Sequence, residues 1–153
     1  MVLKDISTSS SPLAGAFNSK MLEVGSMSNL DMFNEITAKV FAECYENFPM
    51  PMNFREIDLV PEECIDPNAE GVFSYTFSWL HDYGYITYAE PELPIDSFMH
   101  VRLTEKGLSA LNMVPDSLKE KVTMGSKIAS AVKSGAKDIM SECIRQAVKY
   151  SIS

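Results

Sequence analysis

The chain has 153 residues, of which 21 are acidic and 13 basic, for a formal net charge of −8. Hydrophobic residues make up 46% of the composition, which is normal for a globular protein and excludes wholesale disorder. No run approaches the roughly 20 apolar residues that a membrane helix needs, and the first residues lack the apolar stretch of a signal peptide. Three widely spaced cysteines fit reduced thiols. We therefore expect a cytoplasmic protein that does not enter a membrane.

Charge is unevenly distributed along the sequence. Residues 29–108 carry fifteen acidic and four basic residues, whereas residues 109–153 carry seven basic and four acidic ones. Phosphate groups are bound by lysine, arginine and helix N-termini. The acidic middle of the chain should therefore repel a nucleic-acid backbone.

The first 28 residues are rich in serine and glycine and predict a flexible N-terminal arm, with a short ordered piece around Phe17 to Val24. From Ser28 the pattern becomes helical. Ser28 or Asn29 can cap a helix, and apolar residues recur every three or four positions from Leu30 until Pro49 stops them. The segment from residue 52 to residue 60 then predicts one short helix.

A second long helix is predicted over residues 68–83. Asp66 and Pro67 are a favourable start, and Gly84 is placed to end the helix in the left-handed conformation. Residues 85–89 have strong β-propensity, a proline-rich acidic loop follows, and residues 98–103 alternate between polar and apolar side chains. These two segments predict a hairpin. Thr104 then caps a helix that runs to about residue 113.

The segments LHDYGYIT (80–87) and HVRLTEKGLSAL (100–111) resemble the wing and the following helix of MarR-like and PadR-like winged-helix regulators. The resemblance implies a winged-helix domain over residues 29–113. The fold class expected is mainly α with a small β-hairpin (α+β), a winged helix followed by C-terminal helices. Helix 68–83 nevertheless contains no lysine or arginine. Where the regulators place basic or amide side chains, this chain has Glu70, Ser74, Tyr75, Ser78 and Asp82.

Residues 114–153 predict a C-terminal helical segment used for packing or dimerisation. Small and apolar residues recur there at alternating intervals of four and three, which is the spacing of a heptad seam. The predicted self-association residues are Val122, Gly125, Ala129, Val132, Ala136, Ile139 and Cys143. One continuous helix over residues 116–150 would be ~50 Å long, so it must break, pack along a partner or protrude. The natural break is at residues 124–126, with Ser126 as the new cap.

No catalytic or cofactor-binding motif is present in the sequence. His81 and His100 are the only histidines and lie on different predicted elements, so no metal site is expected. Cys64 lies among acidic residues, which disfavours a reactive thiolate. The sequence contains neither a phosphate-binding glycine loop nor a nucleophile elbow. We expect no enzyme and no cofactor, and an enzyme of unknown class is the remote alternative.

The favoured hypothesis is a regulatory or protein-binding module on an acidic winged-helix scaffold. Tyr75 and Trp79 lie four residues apart on one predicted helix face, an arrangement that suits contact residues for a protein partner as well as plain core packing. The predicted partner-binding residues are Tyr75, Trp79, Asp82, Glu90, Glu92 and Asp96. The alternative is a DNA-binding transcriptional regulator that uses helix 68–83 and the wing at 85–103. A homodimer is the second kind of partner expected.

Overall fold

The structure is a computed structural model that describes residues 28–61, 71–114 and 122–152, the last three by their backbone alone. The described elements are α1 (Asn29–Glu46), β1 (Met52–Arg55), α2 (Glu56–Leu59), α3 (Val72–Asp82), β2 (Ile86–Thr87), β3 (Ser97–Leu103), α4 (Glu105–Asn112), α5 (Met124–Ser134) and α6 (Lys137–Ile152). The predicted class is confirmed: an α+β fold with a small antiparallel sheet and C-terminal helices. The predicted N-terminal arm and the helix start at Asp66 lie outside the described residues.

Helix α1 is the central element of the fold. Its first turn is capped by the side chain of Ser28, which accepts a hydrogen bond from the backbone N–H of Asp31 at 3.0 Å. Its last turn is closed by the side-chain amide of Asn47, which donates to the carbonyl oxygen of Glu43 at 2.8 Å. The helix packs against α3, α5, α6 and β3. Both ends agree with the sequence prediction, including the stop before Pro49.

The prediction of one short helix over residues 52–60 is wrong in its first half. Met52–Arg55 forms strand β1, and only Glu56–Leu59 is helical. Strand β1 pairs with β3, so the sheet has three strands in the order β1–β3–β2. Phe54 is buried opposite Phe98 in this pairing. Strand β1 owes its ladder hydrogen bonds, and the burial of the Phe54 ring, to a partner strand that follows more than 40 residues later.

The helix predicted over residues 68–83 is shorter in the structure. Gly71 has an extended backbone, so α3 begins at Val72. At the other end Gly84 adopts a φ of 81°, as the sequence predicted, and this left-handed turn leads into β2. The predicted hairpin is confirmed: Ile86 lies opposite Leu103, and Thr87 opposite Arg102.

Strand β3 does not keep the strict alternation that its sequence predicts. Phe98, Val101 and Leu103 are buried, whereas Met99 and His100 are both exposed. The cause is a register shift against β1 at His100, which has a φ of 57°. Its backbone N–H is satisfied by the side-chain oxygen of Asn53 at 3.0 Å. This irregularity brings Phe98 onto the same buried face as Val101.

The C-terminal segment has two described helices, which meet at Gly135. The side chain of Thr123, rather than Ser126, caps α5 by accepting from the Ser126 N–H at 3.1 Å. Gly135 ends α5 with a φ of 73°, and α6 starts at Lys137. The predicted break at residues 124–126 is therefore misplaced, because Met124–Ser134 is helical and the chain turns at Gly135 in the left-handed conformation.

Helices α5 and α6 belong to the same hydrophobic core as α1. Their buried residues Met124, Ile128, Met140, Ile144 and Ala147 lie in one cluster with the apolar face of α1. At the edge of this contact, the carboxylate of Glu35 lies 3.7 Å from the Lys39 ammonium and 3.5 Å from that of Lys137. Glu35 is largely buried, so the two lysines compensate a charge that would otherwise be costly.

Candidate functional site

A shallow apolar groove lies between the first turns of α1 and helix α3. Its volume is about 510 Å³. The groove is lined by Asn29, Leu30, Phe33, Val72, Tyr75, Thr76 and Trp79. Leu30, which the helical stripe predicted to be buried, is 67% exposed. Tyr75 is 59% exposed on the opposite wall. Both predicted aromatic contact residues, Tyr75 and Trp79, therefore lie in one concave surface.

Trp79 is held in place by an aromatic cluster. Its ring meets Phe33 of α1 edge-on, with the ring centroids 5.3 Å apart, and stacks on Tyr83 at 4.5 Å. Tyr85, which is buried, stacks at 6.1 Å. Lys106 of α4 lies over the Tyr85 ring at 4.6 Å and donates to the carbonyl oxygen of Tyr83 at 2.8 Å. These contacts leave Trp79 half-buried, with part of its ring forming the groove wall.

The groove contains one unusual polar group. Thr76 is 2% exposed, and its hydroxyl has no hydrogen-bond partner among the described residues. Burying a hydroxyl without a partner costs free energy, on the order of 1–3 kcal/mol by mutational data. The hydroxyl oxygen is enclosed by the protein, so this cost belongs to the fold and not to the surface of the groove.

Two of the predicted acidic contact residues, Asp82 and Glu90, both lie near Tyr88. Tyr88 packs against Phe77 of α3 and Phe98 of β3. Burial raises the pKa of its phenol above the ordinary value, a hydrogen bond with Ser78 opposes this, and the charges of Asp82 and Glu90 add to the rise. Both carboxylates are therefore close enough to Tyr88 to act on its phenol.

The remaining acidic residues of that loop are placed differently. Glu92 is exposed on the loop. Asp96 lies at the start of β3, where its carbonyl oxygen accepts from the backbone N–H of Glu56 at 2.9 Å. Burial, followed by the Asp96 charge, raises the pKa of the Glu56 carboxyl. The structure thus places Asp82 and Glu90 near Tyr88 and Asp96 beside α2.

The predicted self-association residues are divided between the core and the surface. Gly125, Ala129 and Cys143 are buried inside the chain itself. Val122, Val132 and Ala136 are half-buried, and Ile139 is 45% exposed. Gly125 faces Tyr45 of the chain's own α1 and not a second copy. Self-association stays a prediction. Of the seven predicted residues, only the four that are not fully buried could contribute to it without opening the core.

Within the described ranges, no group of three or more histidine, cysteine, aspartate or glutamate side chains could hold a metal ion. Two of the cysteines are packing residues. Burial raises the pKa of the Cys44 thiol to about 12, with a further contribution from Glu43, and burial also raises that of Cys143. In the same part of the chain no helix is long and apolar enough to cross a membrane.

Comparisons of the chain with protein-family models, with curated proteins and with solved structures found no match.

The α1 wall of the groove is not predicted by the sequence. The spacing of Leu30 and Phe33 is the same as that of the buried residues after them, so the pattern predicts that both belong to the core stripe of α1. The one feature of the sequence that indicates their exposure is their position in the first turn, where the helix extends beyond the elements that cover the rest of it. Tyr83 and Lys106 were missed because their contacts join residues from different elements.

Proposed function

We propose that the chain is a non-enzymatic regulatory module that binds a protein partner through the groove between α1 and α3. The observation that carries the proposal is the groove itself: an apolar surface of exposed Leu30 and Tyr75 with the rigidly held Trp79 in its wall. Large exposed apolar patches are rare on proteins that bind nothing. Tyrosine and tryptophan are also the side chains most enriched at the energetic centres of protein interfaces.

The scaffold we propose is a winged helix. In support, the described elements follow the order helix, strand, helix, helix and hairpin, and β1 completes a three-stranded sheet with the hairpin. In such a scaffold α3 and the loop between β2 and β3 would be the contact elements. The acidic residues Asp82 at the end of α3 and Glu90 and Glu92 on the loop between β2 and β3 favour a partner with basic residues around an apolar centre.

Affinity capture from native cells with the Tyr75→Ala variant is the sharpest test. Tyr75 is the more exposed of the two aromatic residues, so its truncation removes contact area while disturbing the core less than Trp79→Ala would. Ile57→Ala is the matched control, because Ile57 is 69% exposed and lies on α2, outside the groove. We expect a partner held by the wild type and by Ile57→Ala, with affinity lowered by roughly 2 kcal/mol in Tyr75→Ala. Equal capture by all three proteins would reject this surface.

DNA binding is the second candidate function, and the element order is the observation that favours it. The charge of the helix disfavours it, because Val72–Asp82 contains no lysine or arginine. A gel-shift assay with random duplex at low salt separates the two functions, since phosphate attraction is strongest there. Tight binding that weakens steeply with salt would replace the protein-binding proposal.

The compartment we propose is the cytoplasm. Cys44 and Cys143 are both free and buried, and no disulfide joins them. Free thiols in this arrangement fit a reducing compartment, where structural disulfides are rare.

A further inference from the structure

The groove between α1 and α3 is an apolar surface that needs an occupant in the free protein. Its walls expose Leu30 and Tyr75. An apolar surface left in contact with water costs free energy. An occupant that covers the walls would remove this cost.

The chain itself leads into this groove. Asn29 and Leu30, two of the lining residues, are the first two residues of α1, so the preceding segment must pass the groove edge. That segment reads FNSKMLEV over residues 17–24. Phe17, Met21 and Val24 are spaced by four and three residues, so in a helix they would form one apolar stripe about two turns long.

The connection between this stripe and the groove is short. Gly25, Ser26, Met27 and Ser28 separate Val24 from α1, and four extended residues span about 13 Å. Gly25 allows the chain to reverse direction there. A tether of this length holds the segment at an effective concentration on the order of 1 mM. Weak intrinsic binding, with a dissociation constant of about 0.1 mM, would then keep the groove about 90% occupied.

We propose that residues 17–24 bind in the groove as a short amphipathic helix, with Phe17, Met21 and Val24 against Leu30, Phe33 and Trp79. A partner must displace this helix. The apparent affinity for the partner is therefore proportional to the fraction of time that the groove is open. The lowering of partner affinity rests on the proposed function, whereas the occupation of the groove by residues 17–24 does not.

Trp79 is the only tryptophan of the chain and forms part of the groove wall, so its fluorescence reports directly on the occupant. The experiment is acrylamide quenching of the full chain, compared with a Phe17→Ser, Met21→Ser double variant. Leu22→Ser is the matched control, because residue 22 lies on the other side of a helix from the stripe. We expect the quenching constant of the double variant to rise about twofold while that of the control stays at the wild-type value.

A second measurement locates the segment without removing its contacts. A spin label on Ser19→Cys, in a Cys64→Ser background, faces away from the stripe and should broaden the amide resonances of Leu30, Tyr75 and Trp79. The buried Cys44 and Cys143 should not take the label. Absence of this broadening would overturn the proposal.

The quenching outcomes are equally decisive. Equal quenching of the wild type, the double variant and the control means that residues 17–24 do not cover Trp79, which overturns the proposal. Protection that disappears on dilution identifies a second copy as the occupant and overturns it too. Protection that is independent of concentration and lost only in the double variant supports it. Because no partner protein is present, failure here leaves the partner-binding proposal standing, and failed partner capture leaves this inference standing.

Discussion

The ring of Tyr45 lies directly against the backbone of Gly125. A Cβ atom built on Gly125 would be 2.6 Å from two carbons of that ring, closer than real side chains approach each other. The Tyr45 hydroxyl is also fixed, since it lies 3.0 Å from both the side-chain oxygen of Asn112 and the hydroxyl of Thr123. Helix α5 can therefore reach α1 only because residue 125 has no side chain.

Gly125→Ala should consequently destabilise the protein. Overpacking of a well-filled core typically costs about 1–3 kcal/mol, and the fixed Tyr45 ring places this substitution in that range. Ser130→Ala, on the exposed side of the same helix, is the control and should leave stability nearly unchanged. Urea unfolding of the three proteins provides the comparison. A Gly125→Ala protein as stable as the wild type would mean that Tyr45 is free to move.

Thr104 connects two elements through one hydroxyl. The hydroxyl oxygen accepts from the backbone N–H of Gly107 at 3.0 Å, and the O–H donates to the carbonyl oxygen of Gly84. The side chain thus joins the start of α4 to the turn that follows α3. Thr104→Val removes both bonds at nearly constant volume and should cost about 1–2 kcal/mol. Thr104→Ser keeps the hydroxyl and should cost much less. Similar losses for both variants in thermal unfolding would show that the methyl group matters more than the bonds.

The raised pKa of the Glu56 carboxyl predicts a pH-dependent effect. A carboxyl whose pKa is higher in the folded state favours folding while it is protonated, and this contribution is lost as the pH rises through the raised pKa. Glu56→Gln should therefore stabilise the protein at neutral pH, by up to about 1 kcal/mol given solvent screening. The gain should vanish below the ordinary value of 4.5. Glu92→Gln, an exposed loop variant, is the control. A gain that grows towards acid would contradict this assignment.

The buried thiols should be chemically silent in the folded protein. The thiolate is the reactive form, and burial disfavours it for both Cys44 and Cys143. In a Cys64→Ser variant, a thiol-specific reagent should therefore react very slowly at neutral pH and release two equivalents only after denaturation. Rapid native reaction of either thiol would indicate that α1 or α6 opens locally.

Self-association can now be tested at a single surface position. Ile139 is the most exposed of the predicted seam residues and lies outside the core. If copies associate through this seam, Ile139→Asp should lower the weight-average mass in sedimentation equilibrium, because it places a charge in an apolar contact. The full chain with this one substitution is the right comparison, since removal of α5 and α6 would uncover the core face of α1. Identical weight-average masses for the wild type and Ile139→Asp would reject self-association through this seam.

The elements that the sequence predicts well are those with local signals. Ser28, Gly84 and Thr104 act within one turn of their own position, so the caps and the left-handed turn can be inferred without knowing the rest of the fold. Strand β1 has no such signal. Its four residues become a strand only through pairing with β3, and tertiary contacts of this kind override short-range patterns.

The candidate site was predictable only in part, for a related reason. Periodicity shows that Leu30, Ala129 and Cys143 lie on apolar faces, but it does not show what covers each face. In the structure Ala129 and Cys143 pack inside the chain, whereas Leu30 stays exposed. The aromatic pair Tyr75 and Trp79 was predictable, because both residues lie on one helix whose core-facing residues could be assigned separately.

The central position of α1 also has a consequence for synthesis. This helix leaves the ribosome before every described element that packs on it, and Ala147 is among the last residues to complete the core around it. At about 5–20 residues per second, the ~100 residues between α1 and Ala147 take roughly 5–20 s to emerge. During that interval the apolar face of α1 is only partly covered, because α5 and α6 are the last of its packing partners to emerge. We therefore expect the nascent chain to expose part of its core for longer than the completed protein does.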